Sequence, residues 1–234
     1  MSVAVKRMPP APGDPSDGTH DLAGPAFRLL SKEVAYLKLS SVKMEDAAHY
    51  IEQAAGTKGL IIDIRNYPSA FVVFALGSHL VDQPTAFARF TNPDLSNPGA
   101  FYWTAPDSIA PQKPHYEGKI VVLADETSIS QAEYTTMAFR SARRAVVVGS
   151  TTDGADGNVS PFVLPGGRST MISGIGVFYP DQKPTQQIGI LPDVEVKPTI
   201  AGIRAGRDEV LEEAVRQIAG RAVSNEDIAQ MLAR

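Results

Sequence analysis

Apolar residues along this chain fall into two alternating kinds of pattern. Residues 59–64 (GLIIDI), Lys119–Ala124 (KIVVLA) and Ala145–Gly149 (AVVVG) are short β-branched runs without a polar face, the pattern of strands covered on both sides. Residues 34–39 (VAYLKL) also read as extended. Between these runs the period changes. Within 45–55, Ala47, Ala48, Ile51 and Ala55 recur at helical spacing until Gly56 stops the helix. Residues 71–80 and 131–142 carry further helical patterns, each entered from a turn. Residues 207–219 place Val210, Leu211, Ala214, Val215 and Ile218 on one stripe, which predicts a core-facing helix. Strand and helix in alternation predict an α/β fold with a layered sheet built from βαβ units.

The pattern breaks in three places. Residues 8–26 are dense in Pro, Gly and Asp and bury too little apolar surface to offset ordering. The expected organisation is therefore 1–30 as a linker or the remnant of a preceding domain, 31–220 as the core, and 221–234 as a C-terminal tail. Residues 160–180 read as two or three short strands around a Pro165-Gly166-Gly167 turn. The connection over 91–116, rich in Pro and Asn, exceeds normal loop lengths and is expected to form a flap over a site.

Composition narrows the chemistry. With 234 residues, 43% of them apolar, the chain can bury a substantial core. A net charge of −4 with scattered Lys and Arg argues against nucleic acid as a partner. The absence of cysteine excludes disulfides, thiolate-bound metals and thiol nucleophiles. No segment approaches a membrane span, and the first residues lack the apolar stretch of a signal peptide. Gly149-Ser-Thr-Thr-Asp-Gly154 has the outline of a phosphate loop, but Ala155 and Asp156 stand where the Lys and hydroxyl residue are needed. Around Asp153 and Asp156 the ligand spacing does not fit a calcium loop, and a turn with a local Asx hydrogen bond is expected. No His pair has catalytic-zinc spacing.

Residues 124–137 (ADETSISQAEYTTM) follow a buried strand and open a helix, which puts Ser130 near the first helical turn. The first N–H groups of a helix lack intrahelical acceptors and favour negative charge, so a serine there has oxyanion donors beside it, the Gln131 N–H among them. From these residues alone, Ser128 or Ser130 reads equally as an ordinary N-cap.

Four segments in order resemble peptidase family S41, the C-terminal or tail-specific processing peptidases. They are GLIIDIRNYPSA (59–70), Thr127-Ser-Ile-Ser130-Gln-Ala-Glu133, AVVVGSTTDG (145–154) and GILPDVEV (189–196), within a match running from about Val34 to Ile218. The resemblance implies a ClpP/crotonase-like ββα layered sheet core and a serine-type endopeptidase acting on peptide or protein substrates, with no cofactor. It implies Ser130 as nucleophile, and the Gln131 N–H with Ser69 or Ala70 as oxyanion donors. Arg65 and Asp63, at a strand end, can bind a substrate carboxylate or brace the loop, and bracing is expected because charges at strand ends usually pair locally; Glu133 is expected to be structural rather than acid–base. In the processing branch a Lys serves as base, but Ala155 stands near its position. The tricorn-like branch pairs the serine with a His from a segment before the core. His20, His49, His79 and His115 match no family motif, so the base is expected from outside this chain, which would follow a PDZ-like or helical domain in its parent. The resemblance also implies an extracytoplasmic location. The alternatives are a catalytically silent peptide-binding module of the same fold and, more distantly, a fold relative acting on acyl thioesters.

Overall fold

The computed structural model describes residues 21–142 and 145–233. Strand β1 (Phe27–Leu29) runs antiparallel to β2 (Val34–Lys38), and helix α1 (Ala47–Ala54) leads to β3 (Gly59–Asp63). The short α2 (Val73–Gly77) precedes β4 (Thr85–Pro93), β5 (Phe101–Trp103) and β6 (Asp107–Ile109). Strand β7 (Lys119–Ala124) then feeds α3 (Gln131–Arg140), which returns to β8 (Ala145–Gly149). The hairpin of β9 (Val159–Leu164) and β10 (Arg168–Ser173) is followed by β11 (Gly176–Phe178) and β12 (Val194–Glu195). Helices α4 (Ile200–Arg204), α5 (Glu209–Ala219) and α6 (Asn225–Leu232) end the described chain.

The central sheet has the order β1-β2-β3-β7-β8-β12, parallel throughout except for β1. Successive side chains on a strand point to opposite faces. Leu60, Ile62, Ile120, Val122 and Val147 accordingly pack with Ile51 of α1, Leu76 of α2 and Phe139 of α3. Ile61, Val121, Leu123 and Val148 pack on the other face with Val210, Leu211 and Val215 of α5 and Ile228 of α6. Burial on both faces is why these strands carry no polar alternation. The fold is α/β around a mixed sheet, as expected. Among the described residues no helix is long and apolar enough to cross a membrane.

Three expectations change. The 91–116 connection is not a free flap, because β4 pairs with β5, β6 and β11 in a second, antiparallel sheet. Its added strands are three residues each, too short to show a period, and Trp103 pins β5 by an edge contact with Phe178 at 4.7 Å and by lying under the Arg89 guanidinium at 5.0 Å. The boundary at residue 30 lies too late: β1 belongs to the main sheet, and Leu22 donates its N–H to the Tyr36 hydroxyl at 3.1 Å while accepting from Lys38 Nζ at 2.8 Å. Residues 1–20 of the expected linker lie outside the described residues. The expected tail contains α6, capped by the Ser224 hydroxyl accepting from Asp227 N–H at 3.0 Å, with Ile228 fully buried.

Candidate active site

The carboxyl ends of β3, β7 and β8 carry three loops, 64–72, 125–130 and 150–157, and the ends of parallel strands are where open α/β sheets place their ligands. The turn after β7 is held from below. Ser128 is buried, its hydroxyl donating to Ile64 O at 3.3 Å and accepting from Asp125 N–H at 3.1 Å. Thr127 Oγ1 donates to Asp125 Oδ1 at 2.7 Å and reaches Arg65 O at 3.2 Å. So anchored, the turn delivers Ser130, not Ser128, to the N-cap of α3, with φ 55° and ψ −117°. A non-glycine residue in such a conformation costs about 1–3 kcal/mol, which the surrounding hydrogen bonds must offset.

Glu133, one turn into α3 and fully buried, supplies much of that hold. Its Oε2 accepts from Ser130 N–H at 3.1 Å and Ala155 N–H at 3.0 Å. Its Oε1 accepts from Gly154 N–H at 2.9 Å and the Thr152 hydroxyl at 2.5 Å. Four donors fill the acceptor sites of one carboxylate, which makes Glu133 a staple between the serine turn and the loop after β8. Gly154 needs its glycine: φ is +75°, and a Cβ there would lie 2.9 Å from Gly189 N.

Two cavities meet at Ser130. One, of about 530 Å³, is lined by Tyr67, Phe71, Phe74, Phe90 and Tyr134. The other, of about 1070 Å³, runs past Phe101, Met171, Ile175 and Phe178. Ser130, Asp156 and Val159 border both. A separate cavity of about 660 Å³ between Arg140, Tyr179 and Leu191 does not include the serine. In the aromatic cavity Phe71 stacks on Tyr134 at 6.1 Å, and the Tyr134 hydroxyl donates to Asp107 Oδ2 at 2.6 Å. Burial and this carboxylate push the Tyr134 phenol well above its ordinary range.

The sequence-predicted residues sort as follows. Gln131 opens α3, and its side-chain Nε2 donates to Ala70 O at 2.9 Å, tying the helix start to the 64–72 loop. The Ala70 N–H has no hydrogen-bond partner among the described residues. Ser69 is corrected as an oxyanion donor, because its N–H already donates to Leu39 O at 2.9 Å and its hydroxyl to Val42 O at 2.8 Å. Arg65 and Asp63 brace as expected: Arg65 donates to Asp63 through Nε at 3.0 Å and NH2 at 2.7 Å, and to Asp208, the N-cap of α5, at 3.0 and 2.7 Å. Both residues are buried, and these two carboxylates outweigh desolvation to hold the Arg65 guanidinium further above its ordinary range.

The sequence model of peptidase family S41 matches residues 33–196. The chain belongs to peptidase family S41. Solved structures agree on the fold. A Parabacteroides merdae protein described as a peptidase superposes with a TM-score of 0.74 at 22% identity, over 89% of this chain and 70% of its own. Mature CPAF in complex with lactacystin gives 0.67 at 19%, over 86% of this chain and 52% of its own. The photosystem II D1 C-terminal processing protease gives 0.57 at 20%, over 81% and 47% respectively. The chain thus spans about half the length of the last two. No curated protein sequence matches it.

The chain's departures from the two branches of the family now have places in the fold. Ala155 borders the larger cavity and gives its N–H to Glu133. The described histidines lie elsewhere: His49 is on α1, His79 is buried with Nδ1 2.6 Å from Pro114 O, and His115 Nε2 is 2.8 Å from Asp82 Oδ1. None borders either cavity, and His20 lies outside the described residues. Among the described residues no cluster of His, Asp and Glu could hold a metal ion. One residue escaped the sequence reading. Asp156 accepts from the adjacent Gly157 N–H at 2.7 Å, one residue on and not the two of the expected Asx turn, and it borders both cavities. Only the absence of a lysine one position earlier pointed towards it.

Proposed function

We propose that this chain is the core of a serine endopeptidase in which Ser130 attacks a peptide carbonyl carbon. The observation that carries the reading is the placement of Ser130: a strained N-cap at the carboxyl end of a parallel strand, where two open cavities meet. Attack forms a tetrahedral intermediate whose oxyanion sits between the Gln131 N–H at the start of α3 and the Ala70 N–H opposite. The Gln131 side chain fixes the spacing of these two donors through its bond to Ala70 O. Collapse expels the amine and leaves an acyl-enzyme, which water then hydrolyses. The aromatic cavity favours substrates with a large apolar side chain next to the scissile bond. An extracytoplasmic site of action fits the family resemblance.

The absence of Lys at Ala155 and of His at the described cavities favours a second reading, a peptide-binding module that keeps the groove without turnover. A fluorophosphonate probe separates the two. An active serine predicts a covalent adduct that disappears in Ser130→Ala; equal labelling of both proteins removes Ser130 from its role. Peptide affinity with no adduct and no turnover selects the binding module.

A further inference from the structure

Attack by Ser130 needs a proton acceptor, because a neutral hydroxyl is a poor nucleophile near pH 7. No lysine, arginine or histidine borders either cavity among the described residues. One titratable group borders both together with the serine. Asp156 is 7% exposed, and while its Oδ1 accepts from Gly157 N–H, its Oδ2 is buried without any hydrogen-bond partner among the described residues. A buried carboxylate oxygen left without a donor is unfavourable and calls for an explanation.

The backbone ties this carboxyl to the nucleophile. Ser130 N–H and Ala155 N–H share a single acceptor, Glu133 Oε2, so the two nitrogens, one of them adjacent to Asp156, lie no more than about 6 Å apart. From the other side Gln186 Nε2 donates to Asp156 O at 2.8 Å and to Ile175 O at 2.9 Å, fixing the loop. We propose that Asp156 is the general base of the Ser130 reaction, taking the hydroxyl proton on Oδ2 directly or through one water. The inference rests on the reading of Ser130 as nucleophile.

The step balances without a further reactant beyond water. As the Ser130 Oγ–carbon bond forms, the proton passes to Asp156 and the carbonyl electron pair moves to the oxygen. On collapse the C–N bond breaks and the leaving amine takes that proton. Water then attacks the acyl group with Asp156 again as base, and the serine is restored.

The electrostatics suit this role. Burial, aided by the nearby Glu133 charge and opposed by the Gly157 N–H, pushes the Asp156 carboxyl up to about 7. The titratable groups around it are Glu133 and Tyr134 of α3 and Asp107 of β6, which is bonded to Tyr134, while Gln186 is neutral. Among the described residues no cation borders the cavities to hold Asp156 ionised at lower pH. A base of this strength is ionised just above neutrality and accepts a proton better than an ordinary carboxylate.

The test is the rate of fluorophosphonate labelling of the 234-residue chain against pH, for the wild type, Asp156→Asn and Ser130→Ala. The wild-type rate should rise about tenfold per pH unit below 7 and level off above it, as expected for one ionisation controlling the base. Asp156→Asn, whose amide oxygen can still accept from Gly157, should label at least about tenfold more slowly at pH 8, within the range of general-base effects. Asp156→Asn labelling within tenfold of wild type overturns the inference and leaves Ser130 standing. A flat wild-type profile, or one with its midpoint below about pH 5 where an ordinary carboxylate titrates, overturns it without any variant having to fold. No labelling of wild type at any pH, as in Ser130→Ala, removes the nucleophile and the base together.

Discussion

Ser130 combines a strained backbone with the start of a helix, and the two make separable predictions. At φ 55° the strain is relieved by glycine, which populates this half of dihedral space readily. Ser130→Gly should therefore melt no lower than Ser130→Ala, and about 1 kcal/mol in its favour is expected, while both lose labelling. A clearly less stable glycine variant would contradict the strain. Asp156 gives a pH-dependent effect on stability. Its carboxyl titrates near 7 when folded and near 3.8 as an ordinary group, so between those values the unfolded state ionises first. The stability that this raised pKa provides is full below about pH 4, falls as pH rises, and is gone above about 7. Asp156→Asn should thus stabilise the fold at pH 8 by up to about 4 kcal/mol, with no gain at pH 4, in paired thermal melts. A variant equally or less stable at pH 8 would contradict the burial argument. The position of Ser130 was legible in the sequence from its strand–turn–helix context and the motif around it. Asp156 was not, because its sequence neighbourhood reads only as a turn and its unpaired oxygen arises from loops folding over it.

At the scale of elements, two carboxylate clusters hold the loops at the carboxyl ends of the sheet together. Glu133 joins the α3 start to the 150–157 loop, and Arg65 joins the end of β3 to the N-cap of α5. Glu133→Ala would strand the buried Thr152 hydroxyl and the Gly154 N–H, a loss of about 2–6 kcal/mol at 1–3 kcal/mol per orphaned group. Arg65→Ala leaves Asp63 buried beside Tyr36 without its counter-charge and should cost about 3–5 kcal/mol. Denaturant melts measure both; a loss below about 1 kcal/mol in either, the size of an exposed ion pair, would contradict the bracing role. The long parallel strands were legible because both of their faces are buried and the apolar run is unbroken. The second sheet was not, since β5 and β6 are three residues long and gain their stability from pairing with β4. Helix α6 escaped for a similar reason: its burial centres on the single fully buried Ile228.

For the molecule as a whole, the sheet is the scaffold and its carboxyl edge carries the candidate site. Helix α5 covers one face of that sheet while the Ser130 turn follows the far end of β7, so core and chemistry are separable. Leu211→Ala, at a fully buried position, should cost about 2–5 kcal/mol, yet leave the labelling rate of the folded fraction unchanged. Family membership was legible because four motifs sit at the ends of core strands or beside them. The identity of the base was not, since the residues that mark each branch of the family are missing where they were sought. The central claim is that Ser130 is the nucleophile. Its most direct test is fluorophosphonate treatment followed by peptide mapping: the adduct should sit on Ser130 and vanish in Ser130→Ala, and an adduct on another residue, or one that survives the substitution, would contradict it.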